Sequence, residues 1–219
     1  MIESIELRRA VPVIFADDRE YASRRSDIWL RESIEFRRGR SYILEAESGM
    51  GKSSLISYIY GVRTDFRGDI LIGGESIRHF DIGKWCELRT HSLAYLPQEM
   101  RLFPELTAME NIRIKNRLTG MYSDTEILER LERLELGAKA DTPAARLSIG
   151  QQQRVAIIRA LCQPFDFLLA DEPVSHLDAR NNAAVAALIA DEAAARGAAI
   201  IATSVGNKLS LPKFTLLSL

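Results

Sequence analysis

Two short stretches of this 219-residue chain carry residues fit for chemistry on phosphate groups. The first is Ser48-Gly49-Met50-Gly51-Lys52-Ser53-Ser54. It follows the apolar run Ser41–Ala46 and precedes Leu55, Ile56, Tyr58, Ile59 and Tyr60, a helical pattern closed by Gly61. A glycine-rich turn between a strand and a helix lets backbone N–H groups converge on phosphate oxygens, and the helix N-terminus adds partial positive charge. In such a loop Lys52 reaches the β- and γ-phosphates and Ser53 ligates Mg²⁺. The pattern G-x-x-x-x-G-K-[ST] asks for glycine where Ala46 stands, a departure costing ~1 kcal/mol if that backbone must be left-handed. Taken alone, Gly51-Lys52-Ser53 also fits a glycine-rich helix start with no ligand.

The second stretch is Phe167-Leu168-Leu169-Ala170-Asp171-Glu172, an apolar strand ending in adjacent carboxylates. Ligands of open α/β sheets collect at the carboxyl ends of strands. There Asp171 holds Mg²⁺ through its water shell, and Glu172 orients or deprotonates an attacking water. Two solvated surface acids are the alternative when the stretch is read by itself.

The elements that must position these residues are legible from periodicity. Ile5, Leu7, Val11, Val13 and Phe15, then Ile28, Leu30, Ile34 and Phe36, alternate as half-buried antiparallel strands, with charged Asp17–Asp27 as a turn or hairpin tip. Asp69–Ile77, with Gly73-Gly74 inside, reads as a strand pair. Asn111–Leu118 and Asp124–Leu136 have helical spacing, and roughly 90–160 reads as a helical lobe. Gln151–Gln163 is a helix stopped by Pro164; Asn182–Arg196 is a helix closed by Gly197; Ala198–Thr203 is a last buried strand. Strand and helix in this alternation predict an α/β fold with a parallel sheet and crossover helices.

Composition sets bounds. The chain is 47% hydrophobic with formal net charge -1, which excludes disorder as the main state and gives no global field for nucleic acid. Cys86 and Cys162 are too far apart for a metal knuckle. No run of about 18 apolar residues is free of charge, so a cytoplasmic chain that does not itself span a membrane is expected.

Between the two stretches lies Leu147-Ser148-Ile149-Gly150-Gln151, followed by Gln152-Gln153-Arg154-Val155-Ala156-Ile157-Ile158-Arg159-Ala160-Leu161. This resembles the L-S-G-G-Q signature of ATP-binding-cassette (ABC) ATPases. Tyr95-Leu96-Pro97-Gln98 is similar to that family's Q-loop, Asp171-Glu172-Pro173 to its Walker B end and Ser175-His176-Leu177-Asp178 to its D-loop, in the family's order along the whole chain. The resemblance implies one nucleotide-binding domain over residues 1–219: a P-loop NTPase core with a parallel sheet, an N-terminal antiparallel β-subdomain and an inserted helical lobe. It implies ATP and Mg²⁺ as ligands, and head-to-tail pairing with a second such domain. Ser148, Gly150, Gln151 and Asp178 would then serve the partner's nucleotide, and Gln98 would sense Mg²⁺ and the attacking water. It further implies a separately encoded membrane permease and a peripheral place on the inner face of the cell membrane. Ile149 departs from a glycine at a permissive slot.

Two further departures matter. Ser204 stands where the family has a switch histidine, which predicts slow Mg²⁺-dependent hydrolysis. The adenine-stacking aromatic is assigned to Tyr21, with Phe15 as fallback. Leu102 to Ile112 is similar to the subgroup serving lipoprotein release, macrolide export and cell division, with Leu102, Phe103 and Leu106 in the groove for a coupling helix or packed inside the lobe. A competing reading is an ATP-gated dimerisation module that hydrolyses little or nothing; Ser204 and Ala46 favour it, Glu172 and Lys52 oppose it. A soluble family member in translation or DNA repair ranks third.

Overall fold

A computed structural model describes residues 1–17 and 26–219. Alternation of Ile5 and Leu7 with Glu6 and Arg8 sets β1 (Ser4–Pro12), which pairs antiparallel with β2 (Ile34–Arg37) and β4 (Phe66–Ile72). β5 (Glu75–Ser76) closes the β2-β1-β4-β5 sheet through the Gly73-Gly74 turn. The expected alternation does not run on to Phe15. The β1–β4 register shifts between Arg8 and Val11, Arg9 is left-handed at φ 47°, and Pro12 ends the strand, so Val13–Ala16 forms a short helix α1. Gly68 permits this bulge, since a Cβ there would lie 2.3 Å from the Arg9 carbonyl oxygen. Ile28 and Leu30 likewise precede β2 in turns and bends instead of continuing it.

The second sheet has order β6-β7-β8-β3-β9 and is parallel throughout: β3 (Ser41–Glu45), β6 (Leu93–Leu96), β7 (Phe167–Ala170), β8 (Ala199–Ser204) and β9 (Thr215–Ser218). Its central strands are buried on both faces, which is why they read as continuous apolar runs. Phe167, Leu169, Ala199 and Ile201 join one core with the antiparallel sheet and the helix α2 (Lys52–Ile59); Leu168, Ala170, Ile200 and Ala202 join the other. β9 is an exposed edge strand beyond the last strand expected. Between β5 and β6 lies α3 (Ile82–His91).

The span read as helical from about residue 90 begins with β6, a strand of the core sheet; the helices follow it. α4 (Ala108–Asn116) and α5 (Asp124–Arg133) each start with a capping box, Thr107 with Glu110 and Ser123 with Glu126. Asn111 is fully buried and satisfied, donating to the carbonyls of Phe103, Leu106 and Thr107 and accepting from Phe103 N–H, which shapes the 103–107 loop. α6 (Ile149–Leu161) and α7 (Ala179–Arg196) complete the second core. α7 ends at left-handed Gly197, as the sequence predicts.

Candidate functional site

Parallel pairing brings the ends of β3, β7, β8 and β6 to one edge of the sheet. The loop 46–51 leaves β3, Asp171-Glu172 leave β7, Ser204 ends β8 and Gln98 follows β6. Gly49 (φ 83°) and Gly51 (φ 90°) turn the loop, and Gly51 caps α2 without a side-chain bond, leaving first-turn N–H groups for another acceptor. A Cβ on Gly51 would meet Phe15 at 3.2 Å and Trp29 at 3.3 Å. Trp29 is buried, and its Nε1–H donates to the Met50 carbonyl at 3.3 Å. Ala46 is not left-handed, so the departure from glycine carries no backbone strain.

Lys52 is buried, and its Nζ donates to the carbonyls of Ala46 at 2.8 Å and Glu47 at 2.7 Å. Burial lowers its pKa; the charges of Glu172 and Asp171 partly restore it, which places both carboxylates within electrostatic reach of the loop. Ser53 is exposed at the helix start, whereas the Ser54 hydroxyl accepts from Arg63 at 2.9 Å.

Asp171 is buried, and its Oδ1 accepts from the Thr203 hydroxyl at 2.6 Å. The same hydroxyl accepts from Glu172 N–H at 2.9 Å. Glu172 sits at φ 48°, a conformation a non-glycine residue holds only when its surroundings enforce it. Ser204 is 1% exposed, and its hydroxyl donates to the Asn207 carbonyl at 3.0 Å.

Ser148 and Gln151 satisfy each other at the start of α6: Ser148 N–H donates to Gln151 Oε1 at 2.9 Å, and Gln151 N–H to Ser148 Oγ at 3.3 Å. Gly150 lies against the 175–178 loop, where a Cβ would stand 3.0 Å from the His176 carbonyl oxygen. Gly150 therefore packs against the 175–178 loop of its own chain. Asp178 caps α7 by accepting from Asn181 N–H at 2.8 Å, and that bond holds its carboxyl below the usual range. Gln98 is exposed. Just beyond it, Met100 and Arg101 are both left-handed, and Arg159 of α6 donates to both their carbonyls. Tyr21 lies outside the described residues, while Phe15 is half-buried against the first core and Gly51.

Motif reading missed Trp29, Thr203, Gln153 and Arg159. Thr203 had a signal, being a hydroxyl directly after the apolar run Ala199–Ala202; the others bond to backbone atoms that no spacing rule exposes.

The family model described as ABC transporter matches residues 31–175. The chain belongs to the ABC transporter family. It is 31% identical over 177 residues to the lipoprotein-releasing system ATP-binding protein LolD of Francisella tularensis, covering 78% of this chain and 77% of that protein. LolD of Shewanella oneidensis is 33% identical over 178 residues, covering 79% and 76%. Among solved structures, the dimeric bacterial ABC transporter cassette MJ0796 superposes with TM-score 0.75 at 23% identity, over 98% of this chain and 94% of that one, a likeness of fold. Membership identifies the ATP-binding component of an ABC transporter.

Proposed function

We propose that this chain binds Mg-ATP at the strand-end site, pairs head to tail with a second nucleotide-binding domain, and hydrolyses ATP to drive a separately encoded permease. The observation that carries the reading is the convergence of Lys52, Asp171 and Glu172 at one sheet edge, with Glu172 locked in a left-handed conformation. The N–H groups of 49–53 cradle the phosphates and Lys52 exchanges its carbonyl partners for phosphate oxygens.

A Mg²⁺ fits the donors present. Ser53 and Asp171 offer only oxygen, and one carboxylate plus one hydroxyl is the protein share expected when phosphates and waters supply the rest. The ion would neutralise charge on the transferring phosphate. Glu172 orients the water and takes its proton, and Gln98 senses the site from the loop after β6. In the pair, Ser148, Gly150 and Gln151 close over the partner's nucleotide, with Asp178 at the interface.

The proposed place is peripheral, on the inner face of the membrane; among the described residues no helix is long and apolar enough to cross one. The permease's coupling segment docks beside Phe103, which is 51% exposed, and the shallow cavity of about 190 Å³ lined by Leu106, Ile114 and Arg117. Leu102 instead packs on the second core. Likeness to LolD proteins supports a permease of the lipoprotein-releasing kind.

Hydrolysis is slow in this reading, because the Ser204 hydroxyl is spent on Asn207 and carries no imidazolium charge. The same observation favours the second reading, a nucleotide-gated module with little turnover. Steady-state hydrolysis with Mg²⁺, with dimerisation followed by light scattering, separates the two. Loss of turnover in Glu172→Gln with an ATP-trapped dimer supports the engine, and Ser204→His is expected to raise kcat at least about tenfold. ATP-dependent pairing with no wild-type turnover, alone or with its permease, supports the module.

A further inference from the structure

The strained backbone of Glu172 is held from both sides. Thr203 takes its N–H at 2.9 Å, and on the other side its carbonyl accepts from Gln153 Nε2 at 3.1 Å. Gln153 is 2% exposed and uses both ends of its amide: Nε2 also donates to Ser175 Oγ at 3.2 Å, and Oε1 accepts from His176 N–H at 3.1 Å. It belongs to α6, which Ser148 caps and whose first turn carries Gln151, and Gly150 on that helix lets the His176 carbonyl lie close. One side chain thus bridges the helix bearing the signature, the D-loop backbone and the residue proposed as the water-activating base.

We propose that Gln153 is a positioning residue for hydrolysis: it holds the Glu172 carbonyl so that the left-handed turn aims the carboxylate, and it ties that aim to the placement of α6 and the D-loop. The inference rests on the proposed role of Glu172. A buried amide that clamps a φ of 48° favours a conformation that a non-glycine residue seldom holds unaided. Without the clamp the carboxylate samples directions away from the water, while the phosphate loop, on another strand, is untouched. Gln153 therefore acts on kcat and not on nucleotide affinity.

The full-length protein is assayed for Mg²⁺-dependent ATP hydrolysis and for affinity toward a fluorescent ATP analogue. Gln153→Met, similar in length but without donors, is expected to lower kcat at least about tenfold while KM and analogue affinity stay within about twofold. Gln153→Glu keeps the acceptor and regains the donor only when protonated, so its kcat relative to wild type should climb as pH falls from about 8 to about 6. An unchanged kcat in Gln153→Met overturns the proposal, as does an equal loss of analogue affinity. If Gln153→Met does not fold, a flat pH ratio for Gln153→Glu overturns it. Glu172→Gln run alongside separates the failures. Full activity in that variant removes the reading of Glu172 and this inference with it; loss there with wild-type kcat in Gln153→Met removes the inference alone.

Discussion

Replacing Thr203 with valine tests how the acidic strand end is built. The change swaps one hydroxyl for a methyl of nearly the same size in a buried strand, so the lost interactions are the main effect. Two bonds go: the 2.6 Å bond to the Asp171 carboxylate and the 2.9 Å bond from Glu172 N–H. A hydrogen bond to a charged group contributes about 1.5–3 kcal/mol, and a buried N–H left unpaired costs about 1–3 kcal/mol. The two share one oxygen and are not additive, so a loss of about 3 kcal/mol is expected. Urea unfolding followed by the fluorescence of Trp29 and Trp85 reads this directly. With a slope of about 2 kcal/mol per molar, the midpoint drops by about 1.5 M. Thr203→Ser keeps the oxygen and loses one buried methyl, for about 1 kcal/mol. A midpoint for Thr203→Val within about 0.3 M of wild type, or equal losses in the two variants, would refute the hydroxyl's role.

Further outcomes follow from buried groups elsewhere. The Glu192 carboxylate accepts from Tyr122 OH at 2.6 Å and Arg130 Nε at 2.8 Å, and also pairs with Arg196. Glu192→Gln leaves two guanidinium groups short of their counter-charge and should cost about 3–5 kcal/mol in the same unfolding assay. Burial works to raise the Glu192 pKa, but the Tyr122 and Arg196 hydrogen bonds and the arginine charges outweigh it, and the net shift is downward. The stability it confers is therefore complete above the ordinary glutamate value of about 4.3 and is lost as pH falls through the lowered one; Glu192→Gln should flatten that acid limb. The Cys162 thiol is pushed up to about 12 by burial, whereas Cys86 is exposed. A thiol reagent at pH 8 should titrate one fast cysteine in the native protein and the second only on denaturation; two fast thiols would contradict the buried placement.

The parallel core was legible because strands buried on both faces are apolar without interruption, as in Phe167–Ala170, and because Pro164 and Gly197 punctuate the helices. The phosphate loop, the acidic pair and the signature were legible because their chemistry fixes residue type at each step. Periodicity failed at Val13, which is 44% exposed, since a bulge matched to Gly68 redirects the strand, and no local pattern encodes that partner. Leu93–Leu96 was absorbed into the helical span because four residues between two helices show little period of their own. Trp29, Gln153 and Arg159 act on backbone carbonyls, so only the folded arrangement discloses what they hold.

The central claim is that ATP is hydrolysed at a composite site, with the phosphate loop from one subunit and the signature from another. Lys52→Ala disables the first and Ser148→Arg the second, so each variant alone should be inactive. Mixed in equal amounts they form heterodimers with one intact site, and Mg²⁺-dependent hydrolysis should return to about a quarter of the wild-type rate. A mixture no more active than either variant alone, with heterodimers present, would contradict the account.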